Sequence, residues 1–285
     1  MELNRRDVLR AGGVAAALAA IGTAGTASAA LAAKPPTWSW SKSFAPGDPE
    51  VHLDMLNPAP AGSGDYTLNA QVNSGASMQS FTAYCNPGDG KNAFAVKASD
   101  NAPVGGGTVQ GFCLPGNWYD PGKPLTELPH LYATWDQVQP GLNAESEAAF
   151  DMYFATVGNE SFTFELMVWA ESYNTPHYTT SGNGITAVAQ GVMINGLSWD
   201  VWHWPGAGST YGGWAFDLSS QAQRRGLLRT ATRFDLAPFI TWMFTSGQMT
   251  YANPTMKFCD FGWEIWSTGG RSLQWTCNGF SLSYT

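Results

Sequence analysis

From about Tyr66 onward, large apolar and polar residues alternate in short runs separated by clusters of Gly, Asn, Asp and Pro. That period of two is the signature of strands with two distinct faces. Ser146 to Ala155 sets Ala149, Asp151 and Tyr153 against Phe150, Met152 and Phe154. Phe162 to Ala170 sets Phe164, Leu166, Val168 and Ala170 against Glu165, Met167 and Trp169. Leu197 to Trp204 sets Trp199, Val201 and His203 against Ser198, Asp200, Trp202 and Trp204. The runs from Phe258 to Trp266 and from Leu273 to Leu282 are expected to pair as a hairpin about the turn Ser267-Thr268-Gly269-Gly270-Arg271. Both faces of these strands carry large side chains. One face therefore packs into a core while the other lines a cleft.

One segment breaks the alternation. Asp235 to Phe244 starts with an N-cap type residue, has Pro238 in its first turn, spaces its apolar residues as a helix does, and stops at Ser246-Gly247. The fold class that follows is all-β, a mostly antiparallel β-sandwich with a concave cleft and one packed α-helix. The chain shows no internal repeat.

The ends divide differently. Residues 1–29 read as a twin-arginine-type export signal: Arg5-Arg6 precede an apolar Ala-rich run, and Ala27-Ser28-Ala29 offers small residues for cleavage. Secretion is thus expected, and nothing later in the chain is apolar for long enough to span a membrane. Residues 30–64 form a Pro- and Ala-rich extension containing Trp38-Ser39-Trp40, where six prolines argue against central strands. Residues 65–285 form the sandwich domain, taken to be a monomer.

Composition narrows the partners. The net charge is −8, and removing the signal makes it one unit more negative. An acidic surface disfavours nucleic acid, whose phosphates need Lys and Arg, and suits a neutral polymer such as a polysaccharide. The 13 Trp, 15 Phe and 10 Tyr fill sandwich cores and also stack on sugar faces. Four cysteines in an exported domain suggest two disulfides, of which Cys85–Cys113 and Cys259–Cys277 are the favoured pairs. The second pair is symmetric about the turn at Thr268, so in a hairpin centred there the two residues would face each other. No Cys-x-x-Cys occurs and the four histidines are scattered, so neither metal nor cofactor is expected.

Two acids stand in apolar surroundings: Glu165 in Phe164-Glu165-Leu166-Met167-Val168-Trp169, and Glu264 in Gly262-Trp263-Glu264-Ile265-Trp266. Desolvation raises the pKa of such a carboxyl, which is what a general acid at neutral pH requires. Two carboxyls about 5–5.5 Å apart across a sugar give retention, and about 6.5–9.5 Å gives inversion.

The segment Glu165-Leu166-Met167-Val168-Trp169 resembles the Glu-Leu-Met-Ile-Trp nucleophile strand of glycoside hydrolase family 12, retaining endo-β-1,4-glucanases and xyloglucanases. Asp151 in Phe150-Asp151-Met152-Tyr153-Phe154 is similar to that family's strand carrying an Asp partner. Leu128-Pro129 with Tyr132-Ala133-Thr134-Trp135 resembles its Ile-Pro-x-x-Trp segment, and Phe261-Gly262-Trp263-Glu264 its Phe-Gly-x-Glu acid/base strand. The resemblance implies a jelly-roll fold of two antiparallel sheets, a nucleophile Glu165, an acid/base Glu264, an Asp151 that hydrogen-bonds Glu165, and a β-linked polysaccharide substrate. By alternation Met167, Trp169 and Trp266 share the faces of these acids and are candidate sugar contacts. The family's Asn-Leu-Trp-Gly sugar platform has no Trp here, where the chain reads Gln71-Val72-Asn73-Ser74-Gly75, and its Pro-Ile-Gly loop is replaced by Asn174-Thr175-Pro176-His177-Tyr178. Trp118 and Trp38 are the candidate replacements for the platform. His177 and His203 are expected to be surface or core residues.

Overall fold

A computed structural model describes residues 38–43, 56–57, 65–72, 78–86, 93–100, 111–156, 162–175, 186–204, 212–250 and 254–284. For residues 38–43, 56–57, 65–72, 83–86, 112–123, 162–163, 186 and 221–222 the description is of the backbone alone. Residues 1–29, expected to be an export signal, and their flanks lie outside it, as does His177.

Fifteen strands run in chain order: β1 (Trp38–Ser43), β2 (Leu56–Asn57), β3 (Asp65–Val72), β4 (Met78–Asn86), β5 (Ala93–Asp100), β6 (Gly111–Pro124), β7 (Leu131–Val138), β8 (Glu145–Thr156), β9 (Phe162–Tyr173), β10 (Thr186–Ile194), β11 (Leu197–Trp204), β12 (Gly212–Leu218), β13 (Thr230–Asp235), β14 (Pro254–Ser267) and β15 (Leu273–Tyr284). Two 3₁₀ turns (Leu125–Glu127 and Gly141–Asn143), a single α-helical turn, α1 (Gln221–Arg224), and one longer helix, α2 (Ala237–Thr245), complete the described elements. The strands form a six-stranded sheet, β1-β4-β5-β15-β7-β13, and a nine-stranded sheet, β10-β11-β12-β9-β8-β14-β6-β3-β2. This is the sandwich the alternation predicts. Among the described residues, every pairing is antiparallel except β12 with β9. The Pro-rich 30–64 segment contributes β1 and β2, each at the outer edge of a different sheet, where a residue without an N–H does least harm.

Period two sorts the nine-stranded sheet into two apolar populations. Phe150, Met152 and Phe154 of β8, Phe164, Leu166, Val168 and Ala170 of β9, and Phe261, Trp263 and Ile265 of β14 join the core between the sheets. Ala149, Met167, Trp169, Ala215 and Trp266 form a separate cluster with Trp204 on the opposite face. Phe150 is the centre of the first population. Its ring lies 4.9 Å from Trp135 and 4.8 Å from Phe261. Trp135 in turn donates its indole N–H to the Leu228 carbonyl at 2.7 Å.

Nine strands are wider than six, so β11 and β12 overhang the smaller sheet and need another cover. Helix α2 supplies it. Phe239 meets Trp199 at 4.9 Å and Phe216 at 5.1 Å, both edge to face. The helix starts where the sequence suggests: Asp235 Oδ1 accepts from the Ala237 N–H at 3.1 Å, and Pro238 occupies the first turn. It ends at Gly247, whose φ of 74° suits a residue without a Cβ. The β10–β11 hairpin turns on Asn195 (φ 53°) and Gly196 (φ 75°), a two-residue primed turn whose twist matches the strands.

The expected pairing of the last two long strands is overturned. β14 bonds to β8 and β6 in the nine-stranded sheet, and β15 bonds to β5 and β7 in the six-stranded one. The Gly269-Gly270 turn therefore carries the chain from one sheet to the other. It is pinned there by a reciprocal contact: the Thr268 N–H donates to Asp100 Oδ2, and the Asp100 N–H to Thr268 Oγ1, both at 3.0 Å. The Cys259–Cys277 disulfide falls with the hairpin. Both are free, buried thiols. Each points into the core from a different sheet, so their symmetry about the turn never becomes a cross-strand pair. The side chains of Cys85 and Cys113 lie outside the described residues.

Truncating the core centre tests this packing. Phe150→Ala is expected to lower unfolding free energy by about 3–5 kcal/mol. Equilibrium denaturation by circular dichroism reads the change, and a loss under 1 kcal/mol would place Phe150 outside the core.

Candidate active site

The side of β8, β9 and β14 turned away from the core between the sheets carries the acids. β8 lies between the other two strands, so the three sit side by side. In β9 the alternation that buries Leu166 and Val168 in the core turns Glu165, Met167 and Trp169 to the other face. In β14 the same alternation turns Asp260, Glu264 and Trp266 away from Phe261, Trp263 and Ile265. In β8 it turns Glu147, Ala149, Asp151 and Tyr153 the same way. The structure therefore brings Glu165, Glu264 and Asp151, three acids far apart in sequence, onto one face of one sheet.

Register adds partners that the sequence reading did not single out. Tyr153 is directly opposite Glu165 and hydrogen-bonds its carboxylate. Glu147 is directly opposite Glu264, and the two carboxyls are in hydrogen-bonding contact. Asp260 is directly opposite Asp151. A signal for these residues did exist: Glu147 shares the parity of Asp151, and Asp260 that of Glu264. Nothing in one sequence gives the register that joins them.

Electrostatics follows from burial. Glu147, Asp151, Glu165 and Asp260 are all buried, and Glu264 is partly exposed. Desolvation pushes the Glu165 carboxyl up to about 7, against which the Tyr153 hydrogen bond favours ionisation. Desolvation, then the charge of Glu165, pushes Glu264 up to about 8. Glu147 is raised well above the ordinary range by burial and then by Glu264, Asp151 and Asp217. Asp151 is raised by burial and then by Asp260, Glu165 and Glu264. Asp260 is raised by burial and then by Glu165. Oδ1 of Asp151 meets no hydrogen-bond donor, and the neighbour of Glu147 is itself a carboxyl. A buried carboxylate without a donor is costly, so these groups hold protons or await a ligand. Strongly perturbed carboxyls gathered on one surface are the physical mark of an acid–base site.

The remaining sequence candidates divide. Met167, Trp169 and Trp266 lie on the acid-bearing face but are only 4%, 1% and 2% exposed. The two indoles pack 6.2 Å apart and form a floor rather than a platform. Trp118 lies in β6 opposite Phe258; its side chain, like that of Trp38, is outside the described residues. His203 takes the bland role expected of it: it stacks on Trp214 at 4.7 Å with the parity of Val201, and burial lowers its pKa. A cavity of about 520 Å³ beside α2 is lined by residues such as Leu125, Ile240 and Phe244, with no titratable group, so it competes poorly as a chemical site.

No family model and no curated protein sequence matches the chain. Solved structures do match. The xyloglucanase domain of NopAA, a type three effector from Sinorhizobium fredii solved with cellobiose, superposes with a TM-score of 0.62 at 18% identity, covering 86% of this chain and 99% of that one. Trichoderma harzianum endoglucanase 3 from family GH12 gives 0.61 at 14% identity over 88% of this chain and 100% of that one. A family 12 xyloglucanase from Bacillus licheniformis gives 0.61 at 16%, covering 87% and 100%. At this level of identity the likeness speaks for architecture: the chain has the jelly-roll β-sandwich fold of the family 12 glycoside hydrolases.

Proposed function

We propose that the protein is an exported, retaining endo-glycosidase that hydrolyses a β-1,4-linked glucan. The observation that carries this reading is the meeting of Glu165 and Glu264 on one face of one sheet, each buried enough to titrate near neutrality. The fold shared with solved endoglucanases and xyloglucanases supports it, as do the resemblance around Glu165 and an acidic surface suited to a neutral polymer. Residues 1–29 would direct export.

The chemistry divides between the two acids. Glu264, protonated, donates to the glycosidic oxygen while Glu165 attacks the anomeric carbon. The C–O bond breaks, the shortened glucan leaves with the proton, and a covalent glycosyl ester forms on Glu165. Glu264, now ionised, takes a proton from water. That water attacks the same carbon, expels Glu165 and regenerates both groups. Tyr153 favours the ionised nucleophile through its hydrogen bond. Glu147 acts on Glu264: two carboxyls can share a hydrogen bond only while one is protonated, and here Glu147 keeps that proton, so the contact helps Glu264 give up its own to the leaving oxygen. Burial, then the neighbouring carboxyls, raise Asp151, which reduces the charge it places beside Glu165.

Reducing-end release from a panel of β-glucans tests the assignment. Glu165→Gln and Glu264→Gln are each expected to lower kcat at least about 100-fold. Hydrolysis that survives the Glu165 change refutes the nucleophile. Proton NMR of the first product should show the β-anomer; an α-anomer would mean inversion.

pH tests the protonation states. With wild type, kcat/KM should rise as Glu165 ionises near pH 7 and fall as Glu264 loses its proton near pH 8. Stability should follow the same groups. Folded carboxyls raised above the ordinary 4.5 hold protons that the unfolded chain has lost, so unfolding free energy falls as pH rises from about 4.5 to 8. Glu264→Gln should flatten that decline in thermal melts; an unchanged slope would show that Glu264 ionises normally.

A further inference from the structure

Beyond the acids, one aromatic side chain on the same face is set differently from the rest. Trp204 ends β11 directly opposite Gly213 of β12, and Gly213 is directly beside Glu165 through the parallel β12–β9 pairing. A Cβ built on Gly213 would lie 2.2, 2.6 and 2.9 Å from Cζ2, Cε2 and Cη2 of Trp204. Those atoms are consecutive in the six-membered ring. Had the ring approached edge-on, its two flanking atoms would both stand more than 3 Å away, so the ring must lie with its face over the Gly213 Cα. Only a residue without a Cβ permits that approach.

The ring therefore lies flat on the sheet one strand over from the nucleophile, with its other face turned from the backbone. Trp169 and Trp266, which share its cluster, are almost wholly covered, whereas Trp204 is only partly buried. A flat, rigid, partly exposed indole parallel to the floor of a cleft is the surface on which the apolar face of a pyranose stacks. We propose that Trp204, seated on Gly213, is a sugar-stacking platform on the side of Glu165 away from Glu264, and that it sets the affinity for a chain longer than the sugar being cleaved. This inference rests on the glycosidase reading above, and its probe is cellohexaose.

The experiment combines binding and kinetics. In the Glu165→Gln background, Trp204→Ala is expected to weaken cellohexaose binding by about tenfold in titration calorimetry, the size of one stacked-ring contact. Trp204→Phe should recover part of that loss. Gly213→Ala, which leaves the indole in place but denies it its seat, should weaken binding as well. With Glu165 intact, Trp204→Ala should raise KM for cellohexaose more than it lowers kcat. Circular dichroism melts within about 2 °C of wild type show that the variants are folded. Should a folded Trp204→Ala variant bind and turn over cellohexaose as wild type does, the platform is overturned while the glycosidase reading stands. If wild type hydrolyses no glucan, that reading fails, and the binding comparison still decides the role of Trp204.

Discussion

Crowding like-charged groups in a dry place is the constraint around which the molecule is organised. Glu147, Asp151, Glu165, Asp260 and Glu264 sit on three neighbouring strands, and for four of them a neighbouring carboxyl is among the causes that raise the pKa. They cannot all ionise together. The result is a surface that holds protons at a pH where free carboxyls would have released them. It also ranks its members: Glu165, with a hydrogen bond from Tyr153, is better placed to be ionised than Glu264. The proposed double displacement needs that difference between its nucleophile and its acid.

Such an arrangement pushes its own strands apart and must be held from behind. The reverse of the same strands carries Phe150, Phe154, Phe164, Phe261 and Trp263, packed with Trp135 and Phe280 between the sheets. One residue's step along each strand thus separates the electrostatic cost from the packing that offsets it. Where the larger sheet outruns the smaller, α2 continues the core with Phe239 and Ile240. At another margin the buried Glu171 pairs at 3.0 Å with the partly exposed Arg229, and with Tyr173 and Gln137 this ties β7 to β9. Removing one partner there would strand a charge, so the cluster resists change more than it adds stability.

The fully covered indoles and the partly exposed one divide the work of the cleft. Trp169 and Trp266 keep the floor dry beneath the acids, which sustains the raised pKa values. Trp204 is only partly buried, and Gly213 receives one of its faces. On the proposed reading, chemistry and chain recognition are adjacent but built from different side chains, so either can vary without dismantling the other.

Much of this is legible in the residue pattern. Period-two alternation in residues 146–155 and 162–170 by itself assigns Glu165 and Asp151 to the face opposite the core, because a strand leaves each side chain only two directions. Asp235, Pro238 and Gly247 mark the helix because caps are local chemistry. The sandwich follows from the same local rules. What no local rule supplies is which strands are neighbours. The symmetry of Cys259 and Cys277 about a turn suggests a hairpin, yet the turn crosses between sheets, since each strand pairs better with partners distant in sequence. For the same reason the contacts of Glu147 with Glu264 and of Tyr153 with Glu165, and the seat of Trp204 on Gly213, appear only in the folded chain. Alternation fixes the side of a sheet a residue faces; register across strands, decided by the packing of the whole core, fixes what it meets there.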